Sequence, residues 1–178
     1  MSTYKTFFAG AGGQGVILMG QILTHAAMLE NKNATFFPSY GPEMRGGSAN
    51  CTVVVSDKEV SCPVIYAADI AVIMNLPSLI KFESIVRPGG KLLLNTSLID
   101  QKVKRTDIEV LEIPATDMAA ELGNPRVANI IMMGALTRSM NIVSEESIKE
   151  VIHEFGIKKP KLIDINLKAF DLFEPQPA

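Results

Sequence analysis

Apolar and polar positions along the chain alternate between two periods. Tyr4 to Ala9 reads as a strand whose apolar part is Thr6 to Ala9, while Asp69-Ile-Ala-Val-Ile-Met74 and Lys91-Leu-Leu-Leu-Asn95 are continuous stretches of the kind buried on both faces of a sheet. Ala34 to Phe37 reads as a strand ending at Pro38, and Ile108 to Ile113 alternates as another. Cys51 to Ser56, a turn at Asp57-Lys58 and Glu59 to Cys62 predict a hairpin. Helical spacing fills the intervals: about Gly13 to Glu30, Leu76 to Val86, Ala115 to Leu122, Pro125 to Met140, Ser144 to Phe155 and Lys161 to Phe173. Arg87-Pro-Gly-Gly90 predicts a turn. Asn124 before Pro125, and Ser144 before two glutamates, supply helix-start chemistry. Strands alternating with helices predict a single α/β domain over residues 1–178, a three-layer α/β/α sandwich. Its sheet should be mixed but mostly parallel, because a hairpin interrupts the parallel winding. A last helix and a polar, proline-bearing tail occupy about residues 160–178.

Two glycine-rich segments stand out from this pattern. Gly10-Ala-Gly-Gly-Gln-Gly15 sits between a strand and a helix, the context in which backbone N–H groups at a helix start can hold an anion. Gly10, Gly12, Gly13, Gln14 and Gly15 are therefore candidate anion-binding positions. Val16 and Ile17 stand where a nucleoside-triphosphatase loop would carry Lys and Ser or Thr, which excludes that class. A dinucleotide site would need an acidic residue closing the second strand; Pro38 and Ser39 are there instead, and Glu30 falls at the end of the helix. Close helix–strand packing through glycine is the competing account. The second segment is Ser39-Tyr-Gly-Pro-Glu-Met-Arg-Gly-Gly47. Glycine and proline make it a stiff turn, but turn chemistry does not require Tyr40, Glu43 and Arg45 together. It is either a structural turn closed by a Glu43–Arg45 pair or a loop presenting those groups to a partner. Tyr40, Gly41, Pro42, Glu43, Met44, Arg45, Gly46 and Gly47 are thus candidate interface or site-entrance residues.

Composition narrows the function classes. The chain has 178 residues, 47% of them hydrophobic and only 20% charged, with nine Met and no Trp. So little surface charge implies apolar surface covered by another chain. A net charge of −2 with no extended basic cluster argues against nucleic-acid binding. No apolar run approaches the roughly 18 residues of a membrane helix, and MSTYKTFFAG moves straight into a strand, so a cytoplasmic location is expected. Cys51 and Cys62 are too few for an iron–sulfur cluster, and a disulfide is disfavoured in that compartment. His25 and His153 lie on separate predicted helices, so no metal site is readable.

Gly10-x-Gly-Gly-Gln-Gly15, the Ser39–Gly47 segment with Ser48-Ala-Asn-Cys51, Pro114-Ala-Thr-Asp117, Gly123-Asn-Pro-Arg-Val-Ala-Asn129 and Gly134-Ala-Leu136 occur in this order. Together they resemble the gamma subunit of 2-oxoacid:ferredoxin oxidoreductases, from Phe7 to about Phe155. The resemblance implies a Rossmann-like fold, as in the gamma domain of pyruvate:ferredoxin oxidoreductase. It also implies a complex that oxidatively decarboxylates a 2-oxoacid with coenzyme A, giving acyl-CoA, carbon dioxide and reduced ferredoxin. Thiamine diphosphate with Mg would lie between alpha and beta subunits, and iron–sulfur clusters in beta or a small delta subunit. The chain lacks a Gly-Asp-Gly thiamine signature, so no catalytic residue and no metal ligand is assigned to it. Its expected roles are assembly, shaping the entrance to the thiamine site, and contact with coenzyme A at Gly10–Gly15. The Met44-Arg45-Gly46-Gly47 form of the loop resembles 2-oxoglutarate and 2-oxoisovalerate members more than pyruvate members, with 2-oxoglutarate favoured. The alternative is a stand-alone Rossmann-type reductase binding a dinucleotide at Gly10–Gly15.

Overall fold

The buried apolar runs form the inner strands of one six-stranded sheet. The computed structural model describes residues 2–40, 47–60, 62–157 and 159–174. Its strands are β1 (Thr3–Ala11), β2 (Asn33–Tyr40), β3 (Ser48–Ser56), β4 (Ala68–Ile73), β5 (Val86–Asn95) and β6 (Glu109–Ile113). The α-helices are α1 (Val16–Leu29), α2 (Leu76–Phe82), α3 (Ala115–Glu121), α4 (Ala128–Met140), α5 (Glu145–Gly156) and α6 (Ile163–Asp171). Strand order is β2-β3-β1-β4-β5-β6. The right half, β1-β4-β5-β6, is parallel; β3 runs antiparallel to both β1 and β2.

Alternation along β1 sorts the core into two layers. Phe8 joins Met19, Leu23, Cys51 and Val53 on the face covered by α1 and α3 to α6. Phe7 and Ala9 join Leu79, Leu92 and Ile99 on the face covered by α2 and irregular segments. The three-layer α/β/α architecture is therefore realised, with one helical layer much thicker than the other. No helix among the described residues is long and apolar enough to cross a membrane.

Four sequence expectations are corrected. The hairpin is β2–β3, paired from Asn33↔Ser56 to Tyr40↔Ala49, not Cys51–Ser56 with Glu59–Cys62. Glu59, Val60 and Cys62 carry no strand, and β2 continues through Pro38 because it is an edge strand, where a missing N–H is tolerated. Arg87–Gly90 does not reverse the chain. It bulges within β5, where the register against β4 jumps between Ala68 and Ile70. Gly89 there is left-handed (φ 72°), and its N–H donates to Asp107 O at 2.8 Å. The second predicted helix closes early: α2 ends at Phe82 and a single 3-10 turn, Glu83–Ile85, leads into β5. The start chemistry is used at both places: Asn124 and Ser144 side chains accept the N–H groups of Arg126 and Ser147 at 3.1 Å each, although Asn124 caps a 3-10 turn, Pro125–Val127, and α4 itself begins only at Ala128.

Glu30, after α1, ties this helix to the start of α5. Its carboxylate accepts the Ser144 N–H at 2.6 Å and pairs with Lys32 at 2.8 Å, while Lys32 also donates to Ile142 O at 2.6 Å. Partial burial pushes the carboxyl upward, but Lys32, the Ser144 N–H and the Ser147 and Ser144 hydroxyls together hold it down at about 2. A carboxyl depressed on folding stabilises above its unfolded value of 4.5, and that contribution is lost as pH falls toward about 2. Glu30→Gln is expected to cost about 1–2 kcal/mol at neutral pH. Denaturant titrations from pH 7 downward should show the gap between wild type and variant closing below pH 4.5.

Candidate functional site: a cleft at the carboxyl edge of the sheet

β1 and β4 are parallel neighbours, yet the chain leaves β1 for α1 on one face and leaves β4 for α2 on the other. Such a divergence opens a crevice beyond the carboxyl ends of the strands, where α/β sheets bind ligands. A chain of satisfied polar groups frames it. Gln14 Oε1 accepts the Ala11 N–H at 2.6 Å, and Gln14 Nε2 donates to Met74 O at 3.3 Å. Asn95, fully buried, donates from Nδ2 to Met74 O at 3.3 Å and to Thr116 Oγ1 at 2.9 Å, and accepts the Thr116 N–H at 3.3 Å. The ends of β1, β4 and β5 and the start of α3 are thereby fixed to one another. Gln14 acts as a brace.

The glycines divide into two kinds. A Cβ at Gly10 would meet Gln14 Oε1 at 2.7 Å and Met74 Cβ at 2.8 Å, so Gly10 serves close packing. Gly15, left-handed at φ 73°, lies so near Asn129 that a Cβ would collide with the amide of that side chain. Gly13 differs: it is left-handed at φ 92°, and open space surrounds its Cβ position. The first turn of α1 has neither a side-chain cap nor an acidic residue.

Two cavities meet at this turn. One of about 180 Å³ is lined by Gly13, Gln14, Met74, Leu98, Thr116 and Arg126; the other, of about 420 Å³, includes Gly13, Gly15, Asn124, Arg126, Asn129 and Asn166. Gly13 and Arg126 belong to both, so the two form one cleft with a bare backbone turn on one wall and a guanidinium on the other. Arg126 is the only cation among the described residues lining it. The sequence placed Arg126 and Asn129 in the Gly123–Asn129 family motif but gave neither them nor Asn95 a part in the site. The available signal was Asn124-Pro125, the cap and helix start that present Arg126.

Gly47 O accepts the Gly12 N–H at 3.3 Å, so the second glycine segment ends against the first. The cause is not adjacency of β1 and β2, which β3 separates; antiparallel β3 starts with Ser48 opposite Ala11 and so returns the chain to the turn. Tyr40 ends β2. Gly41, Pro42, Glu43, Met44, Arg45 and Gly46 lie outside the described residues.

The family described as pyruvate ferredoxin/flavodoxin oxidoreductase matches residues 5–172. The chain belongs to this family. It is 42% identical over 147 residues to the 2-oxoglutarate synthase subunit KorC of Methanocaldococcus jannaschii, covering 81% of this chain and 79% of that one. It is 39% identical over 164 residues to the ketoisovalerate oxidoreductase subunit VorA of Methanothermobacter marburgensis, covering 92% of this chain but only 34% of that longer one. The gamma subunit of a keto/oxoacid ferredoxin oxidoreductase from Geobacter sulfurreducens has the same fold, with a TM-score of 0.83, 29% identity and 95% of each chain covered. The protein is thus a gamma-type subunit, as its sequence motifs imply.

In this gamma-type chain the requirements of a dinucleotide site are not met. Glu30 is engaged by Lys32 and Ser144 at the far end of α1, about 21 Å of helix from the glycine turn. Burial pushes the Cys51 thiol up to about 12, the state of an inert core residue. Cys62 is exposed and both cysteines are free. His25 stacks edge-on against Phe155 at 5.0 Å. Among the described residues no group of His, Cys, Asp and Glu could hold a metal ion.

Proposed function

We propose that this gamma-type subunit works in a multi-subunit, coenzyme A-dependent 2-oxoacid:ferredoxin oxidoreductase. The complex would oxidatively decarboxylate a 2-oxoacid, releasing carbon dioxide, forming acyl-CoA and passing two electrons to ferredoxin. The carrying observation is the cleft shared by Gly13 and Arg126. Coenzyme A presents phosphate anions, which a guanidinium and uncapped amides at a helix start suit. In this reading Arg126 holds a phosphate, Gly13 offers backbone to it, the Gly12 N–H being held by Gly47 O, and the Gln14–Asn95 braces keep the turn in shape.

Thiamine diphosphate with Mg and the iron–sulfur clusters belong, in this reading, to alpha and beta subunits, with delta in some assemblies. Thiamine diphosphate supplies the carbanion chemistry and the clusters carry the electrons; this chain orients the acyl acceptor. The Ser39–Gly47 segment, anchored beside Gly12 through Gly47, is proposed as the partner contact at the site entrance. Relatives named for 2-oxoglutarate and for ketoisovalerate are similarly close, at 42% and 39% identity, which supports substrate selection by other subunits. Following the loop sequence, 2-oxoglutarate is the favoured substrate and 2-oxoisovalerate the next. A cytoplasmic complex is the accompanying reading.

The test is co-purification with its neighbours followed by steady-state kinetics. Recovery with thiamine- and cluster-binding partners, active on a 2-oxoacid plus coenzyme A, is expected; recovery alone with a bound dinucleotide would return the reductase reading. Arg126→Ala should raise the apparent KM for coenzyme A about tenfold, the loss of one partly exposed charge-assisted bond of about 1.4 kcal/mol. Its KM for the 2-oxoacid and its Tm should stay put, because the exposed Arg126 side chain is not part of the capping bond. Equal rises for both substrates would remove the assignment. Arg45→Ala should weaken co-purification while leaving the melting of the isolated chain unchanged.

A further inference from the structure

Helix α1, Val16–Leu29, contains no charged residue, unlike every other α-helix of the fold. A helix so apolar and without charge on any side is ordinarily enclosed. The inner face of α1 is enclosed: Met19, Leu23, Ala26 and Ala27 are buried on the sheet. Its outer face is not. Leu18, Gln21, His25, Met28 and Leu29 fall within about 100° of arc at 3.6 residues per turn. All five are exposed, Met28 to 61%, Leu29 to 42% and Leu18 to 37%. Neighbouring α5 shows the ordinary pattern, burying Ile148, Val151 and Ile152 while exposing Glu146, Glu150 and Glu154.

We propose that α1 of a second copy of this chain covers this face, packed antiparallel across a two-fold axis. The axis would pass between Gln21 and His25, setting Leu18 opposite the partner's Met28 and Leu29 and Gln21 opposite the partner's His25. An apolar groove of about 580 Å³ lies where those two side chains would arrive, lined by Leu18, Ile22, Ile152, Phe155, Ile157 and Leu162. The knob is at the carboxyl end of α1 and the groove beside its amino end, so one two-fold operation fills both grooves at once. Charge points to the same occupant. With no ionised group on the helix, the two apposed helices set no like charges together, the charged residues lining the groove, Glu154 and Lys159, are of opposite sign, and Gln21 can hydrogen-bond His25 across the axis. The helix is about 21 Å long, and exposed Phe155 (38%) and Ile157 (63%) extend the patch toward the roughly 800 Å² per partner of a standard interface.

The groove adjoins the cleft of the coenzyme A reading, sharing Leu18, Ile130, Leu162 and Asn166 with its larger cavity, but the inference stands without that reading and is tested on the isolated full chain, with no coenzyme A present, by sedimentation velocity at micromolar concentration. Wild type should sediment as a dimer. Met28→Lys and Leu18→Glu should each sediment as a monomer with unchanged circular dichroism, both positions being exposed, and with a Tm that no longer rises with protein concentration. Mixing the two variants in equal amounts should restore a dimer, because the new ammonium and the new carboxylate face each other across the axis. A monomeric wild type, variants that dimerise like wild type, or a mixture that stays monomeric would each overturn the proposal. Should one variant fail to fold, the other and the wild type still decide it.

Discussion

Gly134→Ala should destabilise the protein by about 3 kcal/mol, lowering Tm by roughly 10 °C for a chain of this size. Helix propensity predicts the opposite, because alanine in a helix interior is favoured over glycine by about 1 kcal/mol. The deciding fact is the crossing of α4 and α6. A Cβ on Gly134 would collide with the carbonyl oxygen of Phe170 and come within 2.9 Å of Arg138 Nη1. That oxygen is held by Arg138, whose guanidinium donates to Phe170 O at 2.8 Å and Phe173 O at 3.1 Å and pairs with Glu145 at 2.7 Å. Backbone cannot swing aside as a side chain can, so α6 must lift, exposing the fully buried Phe170 and Ala169. Thermal melts give the magnitude, and limited proteolysis should show α6 cut first. A stabilised Gly134→Ala would mean that α6 moves freely.

Gly15→Ala should cost about 2–3 kcal/mol, from left-handed strain of about 1 kcal/mol plus overpacking. Its new methyl group would meet Asn129, whose Nδ2 donates to Gly15 O at 3.4 Å. Asn129 stands three residues beyond Arg126, so displacing it disturbs both walls of the cleft. Apparent KM for coenzyme A should therefore rise along with the loss of stability. Adding Asn129→Ala should recover the overpacking portion and leave the strain, a coupling of about 1 kcal/mol or more in a double-mutant cycle. Purely additive changes would show that the two residues do not press on each other.

Much of this architecture was legible because its signals are local. Continuous apolar runs marked β4 and β5, and Asn124 and Ser144 marked helix starts, since a cap needs only residues a few positions away. What escaped depends on distant partners. Asp57-Lys58 has the chemistry of a turn, but whether a strand returns after it is decided by which edge of the sheet is free, and β2 already occupies that edge. Pro38 looked like an end because an interior strand could not hold it; only the sheet order makes β2 an edge. In the site, the glycine turn was visible as a motif, whereas Arg126 acquires meaning from its placement across a cavity from Gly13, more than a hundred residues earlier. The family resemblance read from the combined motifs is borne out by the match over residues 5–172.

The position of β1 at the centre of the sheet has a consequence for synthesis. Its neighbours are β3 and β4, reached only at residues 48–56 and 68–73. The uncharged helix that follows β1 also finds its floor only when β2 and β3 exist. At about 5–20 residues per second, those first thirty residues wait several seconds on the ribosome with their apolar surface uncovered. The β1–α1 segment is therefore open to aggregation until β3 and β4 emerge, and early chaperone engagement would protect it.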